Sequence, residues 1–110
     1  MEFTLSEEQK TFQDSVRAFA RRELEADAVK RARTDEFPRE VAQRMAHAGL
    51  LGITIPEADG GRGGTLMDAM LAIEEVALAC PRSADVIQEG NFGAIIFDRR
   101  FSQRPSRVKA

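Results

Sequence analysis

Apolar side chains recur at helical spacing in separate stretches of this chain, and this periodicity constrains its fold more than any other feature. Ser6, followed by two glutamates and Gln9, is typical of a helix N-terminus, because the serine hydroxyl and the glutamine side chain can each bond a backbone N–H. A helix from here to about Ala32 places a set of apolar residues on one face: Phe12, Val16, Phe19, Ala20, Leu24 and Ala28. The opposite face is predicted to lie in solvent and carries Arg17, Arg21, Arg22 and Glu25.

Three more helices are predicted from start and stop signals. Phe37-Pro38 begins the second helix, since proline suits a first turn, and Gly49 ends it. Thr65 can cap the third helix, which ends before Cys80-Pro81, and Ser83 can begin the fourth. The third helix carries an apolar stripe of Met67, Met70, Leu71, Ala77 and Leu78. The sequence therefore predicts an all-α fold, with about four helices around an apolar core.

The connection between the second and third helices is rich in glycine. Residues 53–56 (ITIP) are expected to be extended, and residues 57–64, which hold four of the eight glycines, are expected to form a loop. Gly61-Arg62-Gly63 begins like a dinucleotide-binding fingerprint, but Leu66 stands where the third glycine is needed, and no alternating strands and helices surround it. We therefore interpret the loop as a tight connector with positive φ angles rather than as a phosphate site.

Length and composition restrict the class of protein. The chain has 110 residues, the size of one domain, and its 43% hydrophobic and 31% charged residues are typical of a globular protein. The single cysteine cannot form an internal disulfide, the N-terminus has no secretory signal pattern, and no apolar run reaches membrane-spanning length. These features predict a cytoplasmic protein that does not enter the membrane.

The charge balance changes abruptly near the C-terminus. Residues 1–98 carry all 18 acidic residues and are expected to form the helical domain, whereas residues 99–110 carry five basic residues and are expected to be a basic C-terminal tail. Because no nucleic-acid recognition fold accompanies the tail, it is not interpreted as a nucleic-acid-binding segment. We interpret the change as a reading-frame change or an early stop near Ala94, with a native basic terminus as the alternative.

Residues able to do chemistry are few, and each has a structural interpretation. His47, the only histidine, falls in the last turn of the second helix, where a positive charge suits the helix dipole. Cys80 has no histidine near it in sequence and is interpreted as a buried small residue rather than a nucleophile. The neighbours Glu74 and Glu75 project in different directions from a helix and are interpreted as a solvated face rather than an acid–base pair. The sequence predicts neither a catalytic residue nor a metal site.

Five motifs occur in a fixed order along the chain. They are residues 5–9 (LSEEQ), 37–41 (FPREV), 48–56 (AGLLGITIP), 60–61 (GG) and 74–77 (EEVA), the last of them ahead of Cys80-Pro81. In this order and spacing they resemble the N-terminal helical domain of the acyl-CoA dehydrogenases, as far as about Ala94. The resemblance implies a flavoenzyme of three parts, with a middle β domain and a C-terminal four-helix bundle, that oxidises acyl-CoA thioesters at the α and β carbons.

The resemblance also bears on the cofactor. In the family, FAD is held mainly by the middle and C-terminal domains, and the glutamate that removes the α proton lies in the C-terminal domain. No catalytic residue is therefore carried over to this chain, and its cofactor-binding residues stay unknown. The chain alone is expected to bind no FAD and to be inactive, as a truncated relative of the family.

Three residues are expected to bind substrate if the resemblance holds. A helix of the family's N-terminal domain reaches the far end of the fatty acyl pocket, and alignment from Cys80-Pro81 to Gly93 places Ala84, Ile87 and Gln88 facing that pocket. A small Ala84 would leave room for an acyl chain. The alternative for Ala84 and Ile87 is ordinary packing in the core between helices.

The expected partners follow from the same resemblance. They are acyl-CoA, in the complete family, and further copies of the chain in a homo-oligomer; nucleic acid and membrane are not expected. Two other functions stay open. One is a helical interaction or oligomerisation module, and the other is a subunit completed by a partner chain that supplies the remaining domains.

Overall fold

The structure is a computed structural model and describes residues 4–36 and 38–93. Most of these residues belong to five α-helices. They are α1 (Glu7–Glu23), α2 (Ala28–Ala32), α3 (Arg39–His47), α4 (Leu66–Ala79) and α5 (Pro81–Gln88). A 3-10 turn at Glu57–Asp59 precedes α4, and a π turn at Glu89–Gly93 follows α5. No strand occurs in these residues, so the predicted all-α fold of about four helices is confirmed, with α2 as a short fifth helix. The predicted boundary at residue 98 and the basic tail lie outside the described residues.

Helix α1 begins as predicted but ends earlier. The Ser6 hydroxyl accepts from the Gln9 N–H at 3.1 Å, and the Gln9 side chain accepts from the Ser6 N–H at 2.8 Å. The single helix expected as far as Ala32 is wrong, because α1 ends at Glu23 and Leu24 caps it with a fully buried side chain.

Arginine side chains from α2 and α3 bind the last carbonyls of α1 and so stabilise its end. The last carbonyls of a helix have no partner within it and need donors from elsewhere. Arg31 donates to the Leu24 carbonyl at 2.6 Å, and Arg44 of α3 donates to the Glu23 carbonyl at 3.1 Å. The turn is therefore stabilised by contacts that helical periodicity cannot predict.

Gly49 ends α3 as predicted, and the chain then turns rather than extends. Gly49 has a φ of 77°, its N–H donates to the Ala46 carbonyl, and the Leu50 N–H donates to the Met45 carbonyl. The extended conformation expected for residues 53–56 is wrong, since residues 51–55 form turns and bends. The buried Ile53 N–H donates not to a strand but to the Asn91 side chain, at 2.6 Å.

Helix α4 occupies the centre of the fold and packs against both α1 and α5. Thr65 caps it as predicted, in a reciprocal pair of hydrogen bonds with Asp68. Cys80, in an extended conformation, joins α4 to α5. Pro81 is the first residue of α5, so this helix begins two residues before the predicted start at Ser83. Proline suits this position because its missing N–H would have no partner there.

The apolar core draws on every long helix and on the segment before α4. Small residues of α4 lie in it without exposure, which lets neighbouring helices approach closely. Its fully buried members, by residue, are Leu24, Met45, Ile53, Ala69, Ala72, Val76, Cys80 and Ile87. None of the described helices is long and apolar enough to cross a membrane.

Candidate functional site

An open apolar groove runs along the outer face of α4 and has a volume of about 610 Å³. It is lined by Leu66, Met67, Met70, Leu71, Ile73, Glu74, Gln88 and Phe92, and we call it the α4 groove. Leu66 and Met70 are each 55% exposed and Met67 is 47% exposed. Helix α4 thus carries apolar side chains on its exposed side as well as on its buried side, and an apolar helix face is normally covered. The exposed apolar face of α4 is therefore the strongest candidate for a binding surface in the described residues.

The structure separates the three residues that were expected to bind substrate. Gln88 is exposed at the end of α5 and lines the α4 groove. Ala84 and Ile87 lie in the hydrophobic core, and Ile87 has no exposed surface. Of the three, only Gln88 therefore lies where a ligand in the groove could touch it.

Sequence reasoning did not single out the groove residues as a site. Met67 and Met70 were predicted to belong to an apolar helical stripe, but the pattern of α4 does not distinguish its buried side from its exposed side. Their spacing of three residues places both on one face, and this spacing next to the Thr65 cap is the signal that the sequence offers.

A half-buried ion pair joins α1 to α4. Arg17 donates to both carboxylate oxygens of Glu75, with Nε 3.0 Å from Oε2 and Nη2 2.8 Å from Oε1. The Glu75 side chain is 4% exposed, so its predicted place on a solvated face is wrong, whereas Glu74 is exposed as predicted. Arg17, which was also predicted to lie on a solvated face, instead bridges the two helices through its contact with Glu75. A bidentate pair of this kind fixes the relative position of α1 and α4.

The ion pair keeps Glu75 from acting as a proton donor. The hydrogen bond from Arg17 lowers the pKa of the Glu75 carboxyl below its ordinary value, and the Arg17 charge adds to this against the opposing effect of burial. The carboxyl is therefore ionised at neutral pH, with both oxygens already engaged. The prediction that Glu74 and Glu75 do not form an acid–base pair agrees with this geometry.

Cys80 is fully buried, as predicted. Its sulfur lies 3.0 Å from the Ser83 hydroxyl and 3.6 Å from Nη1 of Arg31. Burial raises the pKa of the Cys80 thiol, but the hydrogen bonds from Ser83 and Arg31 outweigh it and leave the pKa below its ordinary value. No substrate can reach a sulfur atom without exposed surface, so the structural interpretation of Cys80 stands.

The glycine stretch of the loop, residues 60–64, uses its amides within the backbone rather than offering them to a phosphate. The N–H groups of residues 60–64 all donate to backbone carbonyls of residues 52–57. Gly60 and Gly63 have positive φ angles, and a Cβ on Gly61 would lie 2.2 Å from the Ile55 carbonyl oxygen. The prediction of a tight connector is therefore confirmed.

Other candidate chemistry is absent from the described part of the chain. His47 is exposed at the end of α3, as its predicted place in the last turn requires. Within residues 4–36 and 38–93, no group of three or more histidine, cysteine or acidic side chains could hold a metal ion.

Comparison with known proteins agrees with this helical architecture. The family model for the acyl-CoA dehydrogenase N-terminal domain matches residues 6–97. The protein named Probable acyl-CoA dehydrogenase YngJ, from Bacillus subtilis (strain 168), is 40% identical over 80 residues, which are 73% of this chain and 21% of the relative. No solved structure matches the chain significantly.

Relatives with other printed activities match the same segment. The acryloyl-CoA reductase (NADH) of Anaerotignum propionicum is 38% identical over 79% of this chain and 22% of its own length. The 3-sulfinopropanoyl-CoA desulfinase of Advenella mimigardefordensis is 32% identical over 84% of this chain and 23% of its own length. The chain thus spans about a fifth of the length of the curated relatives it matches. By its sequence and its helical fold, the chain belongs to the acyl-CoA dehydrogenase family, in the part that forms the N-terminal domain.

Proposed function

We propose that the chain supplies the N-terminal helical part of an FAD-dependent enzyme that oxidises an acyl-CoA thioester at its α and β carbons. In this proposal the α4 groove forms one wall of the pocket for the acyl chain, and Gln88 lies at its edge. The observation that carries the proposal is a mostly apolar groove that exposes Met67 and Met70 and holds two polar side chains, Glu74 and Gln88. An apolar lining with few polar groups suits the hydrocarbon part of a ligand.

The substrate class rests on what the relatives have in common. Their printed names include acyl-CoA dehydrogenases, an acryloyl-CoA reductase and a sulfinopropanoyl-CoA desulfinase, and each name contains a coenzyme A thioester. A shared N-terminal domain is consistent with a shared task in binding the acyl group. The length of the acyl chain is not part of this proposal.

The described residues do not fit FAD. The only glycine-rich segment among them uses its amides within the backbone, so it cannot cradle the pyrophosphate. Glu75, the one buried carboxylate among them, is bound by Arg17 and does not serve as a catalytic base. We therefore assign FAD binding and proton removal to regions other than the described residues, and we assign to this chain only the wall of the acyl pocket.

In this arrangement Ala84 and Ile87 support the groove rather than line it. Both are residues of α5, the helix that ends at Gln88, and both side chains lie in the hydrophobic core. A change of side-chain volume at either position would move Gln88 and so alter the pocket indirectly. This role differs from the direct contact that the resemblance implies for them.

A second candidate function is an interaction module that assembles with another copy of the chain. The observation in its favour is Leu78, which is 78% exposed on α4 outside the groove. Together with the exposed groove residues it leaves α4 with uncovered apolar side chains in two regions, the groove and the position of Leu78, and a large exposed apolar surface commonly marks a protein interface. The predicted homo-oligomer would use these regions, and the predicted cytoplasmic location belongs to the same proposal.

A chimeric enzyme tests the acyl-pocket proposal. Residues 6–97 of this chain, the part that the family model matches, replace the N-terminal domain of the Bacillus subtilis relative. Oxidation of octanoyl-CoA and butyryl-CoA is then measured, with bound flavin quantified by absorbance. We expect a yellow chimera that oxidises at least one of the two substrates. The unfused chain, measured in parallel, should be colourless and inactive. A chimera that retains flavin, while neither substrate reduces it, contradicts the proposal.

Two substitutions on one helix locate the pocket within the chimera. Met70→Gln places a polar amide in the groove, and we expect it to raise KM for octanoyl-CoA about tenfold with little change in bound flavin. Leu78→Gln is the matched control, because Leu78 is also exposed on α4 but lies outside the groove. Equal effects of the two substitutions would contradict the assignment of the groove to the acyl chain.

A further inference from the structure

Met67 and Met70 both line the α4 groove and are partly exposed, in contrast to the other described sulfur-containing residues. Met67 and Met70 are 47% and 55% exposed, while Met45 and Cys80 have no exposed surface. We propose that the α4 groove is a peroxide-sensitive site, in which oxidation of Met67 and Met70 to sulfoxides removes its affinity for apolar chains. This adds a form of regulation to the proposed function and rests on that function for the identity of the acyl ligand.

The chemical step needs only an exposed thioether and a hydroperoxide, here hydrogen peroxide. The sulfur lone pair attacks one peroxide oxygen, the O–O bond breaks, and an S–O bond forms. The thioether is oxidised to a sulfoxide, and the second peroxide oxygen leaves as water. Access of peroxide to the sulfur controls the rate, so the exposed Met67 and Met70 should react well before the buried Met45.

The composition of the groove makes this oxidation costly for binding. A sulfoxide oxygen is a strong hydrogen-bond acceptor, and it must find a donor when a ligand displaces water from it. Among the groove side chains only the Gln88 amide donates, while the Glu74 carboxylate is a further acceptor. Both sulfoxides would therefore depend on the one Gln88 amide group when an apolar ligand displaces their water. We expect binding to weaken at least about tenfold.

Because of their positions, oxidation of either methionine changes the same part of the α4 groove. They are three residues apart on α4, a spacing that places both side chains on one face of the helix. Helix α4 itself needs neither side chain for its core contacts, which come from the buried residues of its other face. Oxidation should consequently change the groove without unfolding the protein.

The experiment uses the full chain, treated with hydrogen peroxide for increasing times. Peptide mass mapping measures the gain of one oxygen atom at each methionine, and circular dichroism measures helix content. Binding of anilinonaphthalene sulfonate and of octanoyl-CoA is titrated before and after treatment. The control is the double variant Met67→Leu with Met70→Leu, compared with its own untreated sample. This variant retains Met45 and the N-terminal methionine, so it reports on oxidation elsewhere.

The expected result is oxidation of Met67 and Met70 ahead of Met45, unchanged helix content, and dye binding at least about tenfold weaker in the wild type but unaltered in the double variant. Equal oxidation rates for Met45, unchanged dye binding after oxidation, an equal loss in the double variant, or no dye binding by the untreated chain would overturn the inference. Octanoyl-CoA separates the two proposals. If the untreated chain binds dye while the flavin-loaded chimera neither binds nor oxidises octanoyl-CoA or butyryl-CoA, the acyl ligand is contradicted, while the dye titration still decides peroxide sensitivity.

Discussion

Two residues on one side of α4, three positions apart, invert the usual relation between polarity and burial. On the side that faces α1, the charged Glu75 is 4% exposed, whereas Leu78, three residues later, is 78% exposed. Glu75 is buried because Arg17 satisfies both of its oxygens, and Leu78 stays exposed because nothing in the described part of the chain covers it. The comparison shows that a paired charge can belong to the core of a helical domain, while an uncovered apolar side chain marks a surface that can bind.

Adjacent residues of α5 show the usual relation between polarity and burial instead. Ile87 has no exposed surface, while Gln88 is exposed in the α4 groove. We expect Ile87→Ala to lower the free energy of unfolding by about 3 kcal/mol, through lost burial and a cavity. Gln88→Ala should lower it by less than about 0.5 kcal/mol. Urea unfolding followed by circular dichroism measures both, and similar losses at the two positions would show that Ile87 is not a core residue.

The ion pair provides a second comparison between neighbouring side chains. Glu75→Gln removes the charge that Arg17 binds, and we expect it to lower the free energy of unfolding by about 1 to 2 kcal/mol. Glu74→Gln is the matched control, because Glu74 is adjacent, exposed and in the groove rather than the core. It should change the free energy of unfolding by less than about 0.5 kcal/mol. Urea midpoints with unchanged slopes would establish the difference, and equal midpoints for the two variants would exclude a stabilising pair.

The dependence of stability on pH sharpens the same comparison. The hydrogen bond from Arg17 lowers the pKa of Glu75 below its ordinary value of 4.5, so the unfolded chain binds this proton more readily than the folded one. The contribution of Glu75 to stability is therefore complete above that ordinary value and is lost as the pH falls below it, through the lower pKa of the folded state. Urea midpoints of the wild type should fall more steeply there than those of Glu75→Gln. A parallel decline in the two proteins would contradict this role.

The smallest effects on stability are expected at the uncovered apolar residues. Met70→Gln and Leu78→Gln should each change the free energy of unfolding by less than about 0.5 kcal/mol, because both side chains are largely exposed. If these residues form an interface between copies, the same substitutions should weaken self-association in analytical ultracentrifugation over a range of concentrations. Substantial destabilisation by either variant would instead place that residue in the core.

Helix ends determined by neighbouring residues were predictable, whereas substrate binding by Ala84, Ile87 and Gln88 stays a prediction. Gln88 was expected at the acyl pocket and lies in the α4 groove, but Ala84 and Ile87 lie in the core. The helical pattern of α5 separates a buried side, with Ala84 and Ile87, from an exposed side, with Gln88, but it does not predict which helix each side meets. The choice depends on how α5 packs against α2, α3 and α4, which are distant in sequence or joined by a single extended residue.

The sequence by itself determined the local features of this protein. They are the Ser6 and Thr65 caps, the helix end at Gly49 and the connector at residues 57–64. Each depends on hydrogen bonds between residues only a few positions apart, so a short stretch of sequence is enough to predict it. Only the tertiary structure decided the end of α1, the turns at residues 51–55 and the burial of Glu75. Each of these depends on a partner far along the chain: Arg44 for the carbonyl of Glu23, Asn91 for the N–H of Ile53, and Arg17 for the carboxylate of Glu75. These partners come into contact only when the helices pack, so a pattern within a short stretch of sequence does not predict them.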